Sequence, residues 1–482
     1  MPEKTVESFP RIIIAGTSGD SGKTLVSVGL LAGLRQLGYK LTAFKKGPDF
    51  IDPAWLNAAS QTTVRNLDTY LIPPDIVYRT FTRFARTSAV NVIEGNRGLY
   101  DGFDTEGTHS TAELARLLKA PVILVCNVTK ATRTVAAIIY GLREFDRSVN
   151  IAGVIINQYG GPRHKKIITE AIEKSTGIPV VGAIPRIKGE SLLPARHLGL
   201  ITPAEQTEVS TMIERLGKLI SENVDLEKIV SLAQTAPELE CENMPSEISA
   251  QGQRNVRIGY FSDSAFTFYY PENLESLQEI GAELIPISSL EDRNLPNIDA
   301  LYIGGGFPET HVDKLAQNRE LMQIVKEQAE NGLPVYAECG GLIYLCRSLT
   351  IDKTTYPMTG FFDVNLVMKK APQGHGYSLM EVDRANNLFP VGTVLKGHEF
   401  HYTTPVDGDV KIDSVLQVTK GSGFAGGRDG LVKNNVWAGY LHIHALGTPE
   451  WAQNFVKMAE KYKNEKNSSC AGGGNLQSLT AV

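Results

Sequence analysis

The chain has 482 residues, beyond the roughly 250–300 at which a single hydrophobic core stops growing, so two domains are expected. Hydrophobic residues at 42% and charged residues at 21% exclude a disordered or fibrous class for the bulk of it. The formal charge of −5, from 48 Lys plus Arg against 53 Asp plus Glu, gives no global attraction for nucleic acid or an anionic membrane, so any polyanionic substrate must be held by local cations.

No apolar stretch approaches the ~18 residues of a membrane span. Met1 to Pro10 carries charges where a signal peptide would carry an apolar run, and a cytoplasmic protein is the expectation. The five cysteines (Cys126, Cys241, Cys339, Cys346 and Cys470) are odd in number and lack CxxC pairing. That argues against a disulfide framework or a zinc ribbon and fits a reducing compartment.

In chain order, a β-branched strand, Arg11 to Ala15, runs into Gly16-Thr17-Ser18-Gly19-Asp20-Ser21-Gly22-Lys23-Thr24 and a helical stretch, Leu25 to Leu37. Glycines at 16, 19 and 22 let backbone N–H groups face a phosphate chain, Lys23 can bridge terminal phosphates, and Thr24 can ligate Mg2+. The usual P-loop pattern has glycine five places before Gly22, where this chain has Thr17, so the loop is a variant and a switch GTPase is disfavoured. The competing reading is an ordinary glycine-rich turn.

Two acidic clusters follow strands, Lys45-Lys46-Gly47-Pro48-Asp49-Phe50-Ile51-Asp52 after Lys40 to Phe44, and Glu94-Gly95-Asn96-Arg97-Gly98-Leu99-Tyr100-Asp101 after Ala89 to Ile93. In an open parallel sheet, loops at the carboxyl ends of strands line the ligand crevice. Carboxylates there would repel phosphates unless Mg2+ lay between them. Asp49, Asp52, Glu94 and Asp101 are therefore candidates to bind metal or orient substrate, with Lys45, Lys46 and Arg97 as cationic partners. Turn and helix-cap chemistry is the competing reading, which the neighbouring Pro and Gly favour for Asp52 and Asp101.

Further apolar strands at Pro121 to Val125, Ile151 to Ile156 and Ile178 to Ile184, separated by helical stretches, predict a doubly wound parallel sheet over residues 1–232. The polar, acidic stretch 233–255 reads as a linker. A second α/β domain, 256–463, begins with strands Val256 to Phe261, Glu283 to Ile287, Ala300 to Ile303 and Pro334 to Ala337. Short glycine-punctuated segments after Thr354 suggest antiparallel additions. Residues 464–482, with their run of glycines, are expected to be disordered.

Cys339 sits between an apolar strand and a helical segment in Ala337-Glu338-Cys339-Gly340-Gly341. A nucleophile on such a turn is exposed, and the N–H of Gly340 can face an oxyanion, with Gly305 and Gly306 of the loop after Ile303 supplying a second donor. A base would have to come from Gly397-His398-Glu399-Phe400-His401 or Tyr440-Leu441-His442-Ile443-His444. A buried structural thiol, or a metal ligand sharing the histidines, remains the alternative for Cys339.

These motifs, in this order, resemble the cobyrinic acid a,c-diamide synthase family from about Arg11 to Tyr462. The resemblance implies an N-terminal ATP-dependent domain similar to dethiobiotin synthetase and a C-terminal class I glutamine amidotransferase domain of the triad type. It implies Cys339 as nucleophile and His442 as its base, and Asp49, Asp52, Glu94 and Asp101 about Mg-ATP and the acceptor acid. With the residue readings above, Thr24, Asp49 and Glu94 are expected about Mg2+, and Lys46 and Arg97 join the four carboxylates about the acceptor acid. Asn157 resembles the residue that reads the adenine edge in related synthetases, with a strand-end turn as the competing reading. The implied reaction is amidation of the a and c acetates of a tetrapyrrole polycarboxylate through an acyl phosphate, with ATP and glutamine consumed; the sequence does not fix the oligomeric state, and a homodimer is one assembly it admits. Asn96-Arg97 departs from the small or apolar residues of many members and admits a different macrocycle, nickel-sirohydrochlorin or sirohaem. A reading from another class is a P-loop ATPase switch carrying an inactive amidotransferase-like domain.

Overall fold

A computed structural model describes residues 4–187, 193–196, 199–242, 255–406 and 413–472. The chain divides into two compact units, Met1–Glu247 and Ile248–Val482.

The first unit is built on seven strands in the order Arg65–Leu67, Leu41–Lys46, Val90–Gly98, Arg11–Gly16, Val122–Asn127, Ile151–Tyr159 and Val180–Pro185, all paired in parallel. Arg11–Gly16 and Leu41–Lys46 are buried at every residue, as a sheet covered on both faces requires. The first strand lies mid-sheet, so the loop leaving it is flanked by the loops after Val90–Gly98 and Val122–Asn127. This is the doubly wound arrangement that the continuous apolar runs predict.

Arg11 is wholly buried at the start of that central strand. It donates to the carbonyls of Leu118, Phe9, Lys119 and Pro237 at 2.7, 2.9, 3.3 and 2.6 Å. The last of these ties a segment predicted as linker to the sheet. Helix Leu226–Gln234 already covers the first two residues of 233–255, and Leu239–Glu242 pairs antiparallel with Lys4–Glu7. Buried Leu239 and Cys241 alternate there with Glu240 and Glu242, a strand period concealed by acidic composition. Residues 233–242 of the expected linker thus carry helix and strand instead; residues 243–254 lie outside the described residues.

The second unit carries a ten-stranded sheet in the order Ala282–Ile287, Val256–Phe261, Ala300–Ile303, Val335–Glu338, Val436–Gly439, Arg428–Lys433, Ser414–Lys420, Gly374–Val382, Val394–His401 and His442–Ile443. The first five pair in parallel and the rest antiparallel. The antiparallel additions expected after Thr354 are present, although Ser348–Ile351, Thr354–Pro357, Asn365–Met368 and Thr403–Pro405 form a separate four-stranded sheet. The final helix, Pro449–Gly472, buries Trp451, Phe455 and Ala459. It runs on through 464–472, correcting the expectation of disorder there, because extending an anchored helix costs little. Residues 473–482 lie outside the described residues.

Among the described residues no helix is long and apolar enough to cross a membrane. Cys126, Cys241, Cys339 and Cys346 are free thiols.

Arg11→Met should leave four carbonyls, those of Phe9 and Leu118 buried, without their donor and cost about 3 kcal/mol. Calorimetry should then show the first unit melting several degrees lower, and an unchanged midpoint would refute the role given to Arg11.

Candidate functional site

Two clusters of sequence-predicted residues form, one in each unit. In the first, helix Lys23–Gln36 begins directly after Gly22, whose φ of 93° is open to glycine and costly for other residues. A Cβ at Gly22 would lie 2.2 Å from Asn157 Nδ2, and that nitrogen donates to Ser21 O at 3.0 Å. One N–H of the Asn157 amide thus braces the phosphate loop from a strand two along in the sheet. The loop folds tightly over Gly16, where a Cβ would meet Ser21 Oγ at 2.4 Å and Lys23 Nζ at 3.0 Å. Burial, followed by the Lys45 charge, lowers the Lys23 ammonium from its usual value.

Strand register brings the acidic loops together. Lys45 is the partner of Glu94 across neighbouring strands, and Ile14 is its partner on the other side. Lys45 Nζ donates to Asp52 Oδ2 at 2.6 Å and to Glu94 Oε1 at 3.1 Å, and Thr24 Oγ1 donates to the same Glu94 oxygen at 2.8 Å. Burial alone would discharge Lys45, but Asp52 and Glu94 hold its ammonium well above the usual lysine value. Glu94 is raised by burial, and Asp52 is held low by Lys45 against its own burial. Glu94 Oε2 is buried without a hydrogen-bond partner.

The aspartates separate into different roles. Asp49 accepts Ile51 N–H and Asp52 N–H at 3.1 and 2.9 Å, so both its oxygens start helix Ile51–Ser60. Burial and the Asp52 charge push it up to about 7. Asp101 accepts Gly98 N–H at 2.8 Å and closes a turn on the surface. The cap and turn geometry expected of Asp52 and Asp101 is thus found at Asp101 and at Asp49, while Asp52 pairs with Lys45 instead. Lys46 is buried near Asp68 and Glu113, which work against the burial that lowers it. Arg97 is exposed with φ 47°. Among the described residues no three His, Cys, Asp or Glu side chains surround a common metal position. Thr24 and Glu94, with one carboxylate oxygen unpartnered, match the sparse protein ligation typical of Mg2+ that is also held by substrate phosphates.

In the second unit, Cys339 lies between strand Val335–Glu338 and helix Gly340–Leu345 at φ 48°, ψ −95°. Such a backbone costs about 1–3 kcal/mol in a residue with a Cβ. It is held by Cys339 N–H donating to Gly439 O at 2.7 Å, while the thiol points at Phe400 O at 3.7 Å. Burial, then the charges of Glu309 and Glu338, push the thiol above the ordinary cysteine range, with Gly340 N–H pulling the other way.

The Gly304–Gly306 loop is a wall shared by Cys339's helix and His442. A Cβ on Gly340 would sit 3.2 Å from Gly306 N, and one on Gly305 would sit 2.4 Å from His442 Cε1 and 3.3 Å from Nε2. The three glycines expected about an oxyanion thus adjoin one another, and the Cε1–Nε2 edge of His442 lies beside them. Nδ1 lies 3.4 Å from Glu338 Oε2.

The remaining histidines divide by strand alternation. His398, register partner of His442, stacks on it with centroids 4.9 Å apart; burial first, then His442 and His375, hold it well below the usual histidine value. His401, on the opposite face, lies flat on Tyr440 at 3.6 Å with Glu399 at 3.4 Å. His444 stacks on Tyr270 at 4.6 Å and meets Glu272 at 3.5 Å. Sequence reasoning quoted Glu338 without a role. The available signal was a carboxylate ending an otherwise apolar strand directly before the cysteine.

Residues 12–201 match the CobQ/CobB/MinD/ParA nucleotide binding domain, and residues 257–450 match the CobB/CobQ-like glutamine amidotransferase domain. The chain is similar to three proteins named cobyrinate a,c-diamide synthase. It is 40% identical over 448 residues to that of Magnetococcus marinus, spanning 92% of this chain and 96% of the relative. It is 40% identical over 456 residues to that of Archaeoglobus fulgidus, spanning 94% and 98%. It is 39% identical over 462 residues to that of Dehalococcoides mccartyi, spanning 94% and 99%.

Without Lys45, Asp52 and Glu94 would share a site and take up protons on folding. Their folded-state affinity for a proton then exceeds the unfolded one, so stability is lost as pH rises through the raised range. Lys45→Met should therefore show a larger drop in melting temperature at about pH 8 than at about pH 5. An equal drop at both would contradict the pairing.

Proposed function

The chain belongs to the cobyrinate a,c-diamide synthase family and is a glutamine amidotransferase-type ligase, and from this we propose that it amidates the a and c acetates of a cobyrinate-type tetrapyrrole through acyl phosphates, using ATP and glutamine. The observation that carries this is the shared wall, with strained Cys339, the glycine N–H groups and His442 Nε2 about one loop.

A buried thiol with a raised proton affinity is a poor nucleophile until a base takes its proton. Cys339 Sγ attacks the glutamine δ-carbonyl as its proton passes to His442 Nε2. The oxyanion is met by N–H groups of Gly340 and the Gly305–Gly306 segment. His442 returns the proton to the leaving nitrogen, the C–N bond breaks, ammonia departs, and water then cleaves the thioester to glutamate.

In the first unit the Gly16–Thr24 loop takes the ATP phosphates, with Lys23 at the terminal ones and Asn157 holding the loop in shape. Thr24 and Glu94 are the residues that would hold Mg2+, which would neutralise phosphate charge when bound. A substrate carboxylate attacks the γ-phosphorus and ADP leaves; ammonia then attacks the acyl phosphate and phosphate departs. Lys46 and Arg97 are the cations proposed to receive other carboxylates of the macrocycle, and Asp52 orients Lys45 beside them.

Cys339→Ala should abolish glutamine-dependent amidation while concentrated ammonia still supports it, measured as product mass. Glutamine use by this variant would remove Cys339 from its role.

A further inference from the structure

We infer that Glu338 is the positioning residue that fixes His442 in its working tautomer and compensates its charge as it takes the Cys339 proton. The inference rests on the reading of Cys339 and His442 as the glutaminase pair.

Glu338 is 1% exposed, and a carboxylate so placed needs compensation. At rest it accepts hydrogen bonds from Tyr336 Oη at 2.7 Å, Tyr302 Oη at 3.4 Å and Ile443 N–H at 3.3 Å. Both tyrosines are pushed far above the ordinary phenol value by burial and then by Glu338, so their hydroxyls stay protonated donors. The Ile443 bond ties the backbone beside His442 to the same carboxylate that faces its ring.

His442 is itself 2% exposed, so an imidazolium formed there needs a counter-charge. His398, stacked on the ring, is held neutral by burial and by His442. Gly305 offers no charge. Glu338, 3.4 Å from Nδ1, supplies one. At 3.4 Å the contact is an ion-pair distance, and closing it to a hydrogen bond as charge develops would keep the proton on Nδ1 and leave the lone pair on Nε2, on the edge beside the glycine loop. His444, two residues beyond His442 on the chain, does not take this place; it faces Glu272 and Tyr270. The pairing is available because Glu338 ends the strand whose next residue is the nucleophile, so one strand end aims the thiol and orients its base.

The test is steady-state glutamine hydrolysis by the full chain carrying Glu338→Gln or Glu338→Asp, alone and with His442→Asn, with ammonia-dependent amidation as the control for an intact fold. Glu338→Gln should lower kcat about 100-fold or more, as loss of the tautomer-setting acid does in comparable constellations, with KM changed less than about 2-fold. Glu338→Asp should recover part of the loss. In the His442→Asn background Glu338→Gln should add nothing, since groups acting as one unit are not additive. A kcat within about 2-fold of wild type, or the same loss with and without His442, would overturn the inference. Should Glu338→Gln also lose ammonia-dependent amidation, Glu338→Asp decides: reduced kcat with ammonia use intact supports the role, and full kcat overturns it. Retained glutaminase in Cys339→Ala would instead bring down the reading on which the inference rests.

Discussion

A carboxylate taken out of water must be met by a positive charge, by a proton or by strong donors, and both units are arranged around one carried on a parallel strand. Glu94 and Glu338 are each 1% exposed. Leaving either uncompensated would cost several kcal/mol. The first unit answers with a fixed cation, Lys45, delivered by strand register. The second answers with neutral hydroxyl and amide donors, and sets beside them an imidazole that becomes positive only on taking a proton. A fixed cation makes a static cluster suited to holding groups in place. A titratable partner makes a site that changes charge during a reaction.

Parallel strands deliver these groups because their carboxyl ends share one edge. The Gly16–Thr24 loop, the Lys45–Asp52 loop and the Glu94 segment all leave that edge in the first unit. In the second, Ile303 and Ala337 are register partners, so the Gly304–Gly306 loop and the Cys339 turn emerge side by side. His442 arrives from another direction, antiparallel to Val394–His401 after the sheet has gained its additional strands. The strain at Cys339 is supported from both flanks, by Gly439 O ahead of the turn and by the buried helix after it.

Local geometry written in contiguous residues was legible. The Gly16–Thr24 run and the Cys339 turn each combine glycines, a reactive side chain and a strand-to-helix transition in a single short run, and the strand and helix stand on either side of each as expected. What depends on register or on a side chain's choice among nearby backbone donors was not legible. Asp49, Asp52 and Asp101 are equivalent in composition, yet Asp49 caps a helix, Asp101 closes a turn, and Asp52 faces Lys45. Glu338 and His442 meet only once the second sheet is complete. The strand Leu239–Glu242 hid in an acidic stretch because half its residues face outward.

The central claim is that nitrogen freed from glutamine at Cys339 ends on a carboxyl carbon first activated as an acyl phosphate, whose bridging oxygen leaves with phosphate. It is tested most directly by one doubly labelled turnover, with amide-15N glutamine and substrate carboxylates carrying 18O, read by mass spectrometry of both products. The account predicts one 15N in the tetrapyrrole and one 18O in inorganic phosphate for every amide formed. Amide formed without 15N, or phosphate released without 18O, would contradict it.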